Sequence, residues 1–307
     1  LRIYDVRDPA SPISLAAASA GALQAARSVH MVADQGRLYV ASRRGAPSAT
    51  GGPDTALQIA DLSRPDGPTW IADLPGLYGA IAVRDRFVYV LDPVAALHVV
   101  DATDPPSARV VGRLALLGKA ADPSAVVEPQ RIAVAGSTVF VGVEGLVAVD
   151  VGDPTAPRTV GWMRTAPGSR AAVAMSGDHA LVVDRNLAVV DVHDPAAPRA
   201  LDQTPDLLAS GELAYLAAHE GVAYVAGTTS PVRIVDARRP SDGLRFLGSA
   251  ALRATVARVQ GERAYVAQEG DGLSVLDLRD GPAVIGVTAP VSLSVLAVDV
   301  VGELVYA

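Results

Sequence analysis

The strongest constraint in this 307-residue chain is a repeat: an apolar strand closing on an aspartate returns seven times along its length. The copies read LRIYD (1–5), LQIAD (57–61), LHVVD (97–101), LVAVD (146–150), LAVVD (187–191), VRIVD (232–236) and LSVLD (273–277). Each is paired in the sequence with a strand centred on an aromatic or apolar residue: Leu38-Tyr39-Val40, Val88-Tyr89-Val90, Val139-Phe140-Val141, Ala180-Leu181-Val182, Ala223-Tyr224-Val225, Ala264-Tyr265-Val266 and Val305-Tyr306-Ala307. Successive aspartates, from Asp5 to Asp277, lie 56, 40, 49, 41, 45 and 41 residues apart. Periods of roughly 40–50 residues built from short strands are those of propeller blades.

A Gly or Asp turn (Gly36, Asp85, Gly136, Asp178, Gly221, Gly261, Gly302) precedes each partner strand, and a further apolar strand precedes the turn. A turn and a fourth strand follow each aspartate. The unit is therefore four antiparallel strands joined by Gly, Pro and Asp turns, with no helical period of useful length. The expected fold is all-β: a seven-bladed β-propeller of four-stranded antiparallel blades, forming a single domain over residues 1–307. The last unit has only its first two strands, and residues 1–18 supply the two that 294–307 lack. Closing a blade from both chain ends removes exposed strand edges.

Half of the residues are hydrophobic and 19% are charged, enough apolar surface for a large core. Net charge is −7, and no basic run exceeds the pair Arg43-Arg44, so nucleic acid is not expected as a partner. No apolar run approaches the length that crosses a bilayer, so no membrane insertion by this segment is expected. Cysteine is absent, which excludes disulfides, thiolate metal sites and cysteine nucleophiles. The chain opens on Leu1, already inside a strand motif, so a signal or anchor is expected upstream. The acidic surface favours a monomer.

After the aspartate, several copies continue as D-x-x-D-P-x-x-P: Asp5-Asp8-Pro9-Pro12, Asp150-Asp153-Pro154-Pro157 and Asp191-Asp194-Pro195-Pro198, with Asp101-Asp104-Pro105 lacking the last proline. A short carboxylate at a strand end accepts hydrogen bonds from the amides of the turn that follows, and proline presets that turn. On these residues the chain resembles the LVIVD-repeat family of bacterial β-propellers across all seven units. The resemblance implies a propeller in the cell envelope or outside the cell, because members are mainly surface or secreted proteins of unassigned role. The motif drifts at Asp61 (DLSRPDGP), Asp236 (DARRPSDG) and Asp277 (DLRDGPAV).

A residue repeated in every blade is explained by what every blade shares, which is folding; a ligand site breaks the symmetry. Asp5, Asp61, Asp101, Asp150, Asp191, Asp236 and Asp277 are accordingly read as turn residues, not as a ring of metal ligands. Symmetry breaks at two insertions, 42–55 and 115–128, which leave the same end of the blades. Long loops on a rigid scaffold commonly carry recognition, although surface loops also lengthen without consequence. In the first insertion, Arg43 and Arg44 are candidate contacts to carboxylates or phosphates, set against a solvated loop.

Inner strands mostly offer small residues (Ala82, Ala133, Ala174, Ala217), while aligned positions give Arg258 and Asp299, with His30 and Arg131 nearby. An ion pair fixing register between blades is the plain reading of Arg258 and Asp299, and a polar ligand site the sharper one. The histidines show no metal-binding spacing, and Gly270-Asp271-Gly272 precedes a strand, not a helix, so no catalytic residue, metal or cofactor is assigned. Trp70, Trp162 and Phe246 fall on fourth strands and are expected to pack between blades. Two functions follow: a non-catalytic binding or scaffolding propeller with a protein or glycan partner, or a propeller enzyme of hydrolase or lyase type with its site at the central channel. The second rests on fold analogy.

Overall fold

The computed structural model describes residues 1–17, 26–44, 55–64, 67–116, 132–143, 145–164, 171–184, 186–204, 207, 213–227, 231–250, 256–268, 272–279, 283–288 and 297–307. It contains seven four-stranded antiparallel sheets, the blades of a seven-bladed β-propeller. In each blade an inner strand is followed outward by a second, a third and an outer strand.

The backbone falls into two compact units. In the first, blade 1 comprises Ala26–Asp34, Arg37–Arg44, Thr55–Asp61 and Thr69–Pro75. Blade 2 comprises Ala80–Arg84, Phe87–Leu91, Ala96–Asp101 and Arg109–Ala115. Blade 7 joins Asp299–Val301 and Leu304–Tyr306 to Arg2–Asp5 and Ile13–Ala17. Both chain ends thus build one blade, with Ile3 opposite Tyr306 and Tyr4 opposite Val305. Arg2 and Ala307 add reciprocal backbone hydrogen bonds of 2.6 and 2.9 Å.

The second unit holds blades 3 to 6. Blade 3 comprises Ile132–Ala135, Thr138–Gly142, Gly145–Asp150 and Arg158–Arg164. Blade 4 comprises Ala172–Ser176, His179–Val183, Leu187–Asp191 and Arg199–Gln203. Blade 5 comprises Leu213–His219, Val222–Gly227, Val232–Asp236 and Arg245–Ala250, and blade 6 Val256–Gln260, Arg263–Gln268, Gly272–Asp277 and Ala283–Val287.

Within each unit the core lies between consecutive blades. Tyr39 and Ile59 of blade 1 pack with Ile81, Val88 and Val100 of blade 2; Leu181 and Val189 of blade 4 pack with Val225 and Val235 of blade 5. Sandwiched in this way, the third strands lose the two-faced alternation that their sequences suggest. In blade 3, Leu146, Val147, Ala148 and Val149 are all buried, with Leu146 and Ala148 packed against Val173 and Val182 of blade 4. Among the described residues the exposed large hydrophobics lie on outer strands. Phe246, expected between blades, is 58% exposed on such a strand. It lies opposite Val235, the residue before the signature aspartate; Trp70 at the same position of blade 1, opposite Ala60, is half-buried against the cluster around Ile3 and Leu38.

Every third–outer pair carries a β-bulge at one register point, skipping Leu15, Ile71, Val111, Val160, Leu201, Leu247 and Ile285. A bulge turns the strand and sharpens its twist. The next residue is small in most blades, and at Gly161 the reason is contact: a Cβ there would lie 2.0 Å from the Pro195 carbonyl oxygen of blade 4. The Asp-Pro turn of one blade is thereby seated on the outer strand of the blade before it. The short 3-10 turns Pro105–Ser107 and Pro240–Asp242 sit in the same way against Thr69–Pro75 and Arg199–Gln203. Gly161→Ala should lower stability by about 1–3 kcal/mol, the usual cost of overpacking. Gly67→Ala, which meets nothing within 4 Å, should stay within about 0.5 kcal/mol; urea midpoints of both variants check this.

Candidate functional site

The signature aspartates sit where the third strand ends, and each does the same thing. The Oδ1 of Asp5, Asp61, Asp101, Asp150, Asp191, Asp236 and Asp277 accepts the backbone N–H two residues on, at 2.8 to 3.1 Å. The residue between them donates its own N–H to the turn joining the inner and second strands. Val6 donates to Glu303, Leu62 to Gly36, Ala102 to Arg86, Val151 to Ser137, Val192 to Asp178, Ala237 to Gly221 and Leu278 to Glu262, at 2.7 to 3.0 Å. Each carboxylate therefore holds a turn that is itself bonded to the neighbouring hairpin. The sequence signal for this second bond is the apolar residue that follows every signature aspartate.

The second aspartate of the motif works one step later. Asp8 and Asp194 accept from the N–H of Ala10 and Ala196 at 3.1 and 3.0 Å, and Asp104 accepts from Ser107 Oγ at 2.7 Å.

Hydrogen bonding holds several of these carboxyls below the usual carboxylate range. Asp101 is lowered chiefly by the Thr103 N–H and Asp150 by the Gly152 N–H and the Arg158 guanidinium. Asp5 is lowered by Arg7. Arg238 and Arg279 draw Asp236 and Asp277 down to about 2. Arg238 Nε and Nη2 lie 2.9 and 2.7 Å from the two oxygens of Asp236, a fork on a carboxylate.

Among the singular residues, Asp299 is buried on the inner strand of blade 7, opposite Tyr306. Its Oδ2 accepts the N–H of Ala33 on the inner strand of blade 1 at 2.5 Å, and Oδ1 accepts from Val300 at 2.9 Å. It bonds one blade to the next through backbone. His30, 1% exposed in blade 1, turns its ring edge-on to Tyr78 with centroids 5.5 Å apart. Arg258 is half-buried on the inner strand of blade 6, opposite Tyr265, the register of Asp299 in blade 7. Arg43 is not in a loop: the second strand of blade 1 runs through Arg44, with Arg43 paired to Ser28 and Thr55. Extended ladder pairing on both sides carries those residues into the sheet. Residues 45–54 and 117–128 of the insertions, Arg131 and the Arg44 side chain lie outside the described residues.

Two local arrangements were not anticipated. In blade 2, the Asp92 carboxylate accepts the N–H of Val94 and Ala96 at 3.0 and 2.8 Å and meets His98 Nε2 at 2.8 Å. Burial pushes this carboxyl up, but His98 and the two amides outweigh it and leave the group below its ordinary range. In blade 5, Asp236, Arg238, Arg239, Asp242, Gly243 and Arg245 line a groove of about 480 Å³ at the third–outer turn. The sequence signal was the drift of the motif to DARRPSDG. Among the described residues no group of three or more His, Cys, Asp or Glu side chains is placed to hold a metal ion.

Seven four-stranded blades whose third strands end in turn-holding aspartates define a seven-bladed β-propeller. Residues 75–115, 128–165 and 167–201 each match the LVIVD repeat, so the chain carries LVIVD repeats. These stretches contain the third strands of blades 2, 3 and 4. Among solved structures the chain is similar to the computationally designed Ika8 protein, with a TM-score of 0.59, 10% identity and coverage of 92% of this chain and 93% of that one. At that identity the likeness concerns the fold. No curated protein matches the chain.

Because Asp236 is lowered in the folded state, its contribution to stability is complete above the ordinary carboxyl range near 4 and is lost as pH falls towards about 2. Asp236→Asn should therefore unfold at lower urea than the parent from pH 7 to 5, with the gap closing between about pH 4 and 2; paired urea titrations at each pH measure it.

Proposed function

We propose that this protein is a non-catalytic binding or scaffolding propeller of a bacterial surface or secreted protein, taking a protein or glycan partner through the connections that differ between blades. The observation that supports this most directly is the engagement of all seven signature carboxylates with the backbone of their own turns. The recurrent polar groups belong to the scaffold, so recognition falls to what varies. The most variable connections in length are the insertions at 42–55 and 115–128, on a frame whose blades are each locked internally by the same turn. The net charge of −7 argues for partners other than nucleic acid. A location outside the cytoplasm rests on the LVIVD resemblance.

The test is capture from an envelope extract with the intact protein and with a variant whose two insertions are shortened to tight turns, both shown to be folded by near-UV circular dichroism. A partner captured by the parent and lost from the variant is the expected result. A partner held equally by both, or none held by either, overturns the assignment to these loops.

A further inference from the structure

We infer that the third–outer turn of blade 5 binds an oxyanion group, either a carboxylate or a sulfate or phosphate ester, between Arg238, Arg239 and Arg245. The first ground is a charge reversal at a motif position. Arg239 occupies the slot filled elsewhere by Asp8, Asp104, Asp153, Asp194 and Asp280. In blades 7 and 4 that aspartate accepts a turn N–H, and in blade 2 a serine hydroxyl. Arg239 supplies no such side-chain bond to the short helical turn Pro240–Asp242. The replacement puts a cation where those blades carry a carboxylate and adds no bond to the turn, the kind of local departure expected at a functional site.

The second ground is the number of guanidinium groups. Among the described residues, four other signature aspartates each pair with an arginine: Asp5 with Arg7, Asp150 with Arg158, Asp191 with Arg199 and Asp277 with Arg279. Blade 5 has both of those arginine positions filled, with Arg238 at 2.7 Å and Arg245 at 3.5 Å from Asp236 Oδ2, and adds Arg239. Three cations face two carboxylates, Asp236 and Asp242, in a chain of net charge −7. Blade 1 also places an arginine, Arg64, in the motif slot, but has Ser63 and Thr69 where blade 5 has Arg238 and Arg245.

The third ground is shape. The turn is held from outside by the N–H of Leu244, which donates to Asp202 Oδ2 of blade 4 at 2.8 Å. Asp236 takes Nε and Nη2 of Arg238, which fixes the guanidinium and leaves its Nη1 edge uncommitted to that carboxylate. Arg238 and Arg245 remain 56% and 71% exposed, around an open groove of about 480 Å³. Planar guanidinium forks on a fixed turn suit the paired oxygens of an oxyanion.

This site is independent of the insertions. The test is calorimetric titration of sodium sulfate, sodium phosphate and sodium citrate into the protein at low ionic strength, so that tetrahedral and carboxylate sources are separated. Saturable one-site binding of at least one of them is expected, weakened tenfold or more in Arg239→Asp and unchanged in Arg64→Asp. Arg239→Asp restores the motif residue and should unfold at the same temperature as the parent or above it; if it fails to fold, Arg245→Ser is read in its place. Absence of saturable binding by all three anions, undiminished binding in the blade 5 variant, or an equal loss in Arg64→Asp would overturn the inference.

Discussion

The structure depends on one hydrogen-bonded joint repeated in every blade. A carboxylate at the end of the third strand captures the N–H two residues later, and the residue in between bonds to the inner hairpin. A slip of one residue exchanges the two faces of a strand, and where both faces are apolar, as at residues 146–149, the hydrophobic pattern alone opposes it weakly. The joint ties the third strand to the turn between the first two and so sets all the strands at one end. Its polar atoms lie at the edge of the core, where the hydrogen bonds are made without burying an uncompensated charge.

From that joint the packing between blades follows. The turn it shapes projects over the preceding blade, where Gly161 leaves room for the Pro195 carbonyl and Asp202 receives the Leu244 N–H. The bulge in each outer strand bends the strand at the register where this contact occurs. The proline of the motif thus serves two purposes: it presets the turn, and in blade 4 it presents its carbonyl to the neighbour. Nonpolar packing between sheets supplies the bulk of the stabilisation, and the turns hold the sheets in register while it acts. Asp299 is a variation on the same device, with a side chain bonding the backbone of the next inner strand in place of a turn.

A scaffold this repetitive leaves function to its irregularities, and these are of two kinds. Insertions change the length of a connection and leave the joint alone. Substitutions inside the motif, such as Arg239, change the chemistry of a turn whose geometry is already held by Asp236, Pro240 and the Asp202 contact. The second kind needs no new backbone structure, so a charged site can arise on a blade while its neighbours keep the ordinary motif.

The repeat, the blade count, the four strands per blade and the joining of the two chain ends were legible in the sequence, because each depends on local pattern: apolar runs of strand length, turn residues at a fixed offset, and a count. The role of the signature aspartates in their own turns was also readable, since a carboxylate two residues from the N–H it captures is a local matter. What only the tertiary structure decided is what one blade does to another. Burial of Leu146 and Ala148 against blade 4, the packing of Trp70, the need for glycine at 161, and the backbone partner of Asp299 all depend on which atoms of a neighbouring sheet come close. Blade 5 combines the two: the departure DARRPSDG is visible in the sequence, but the groove exists because a strand pairing across the turn brings Arg245 to the same carboxylate as Arg238. Sequence distance records neighbours along the chain, and the contacts that distinguish one blade from the next are made through space.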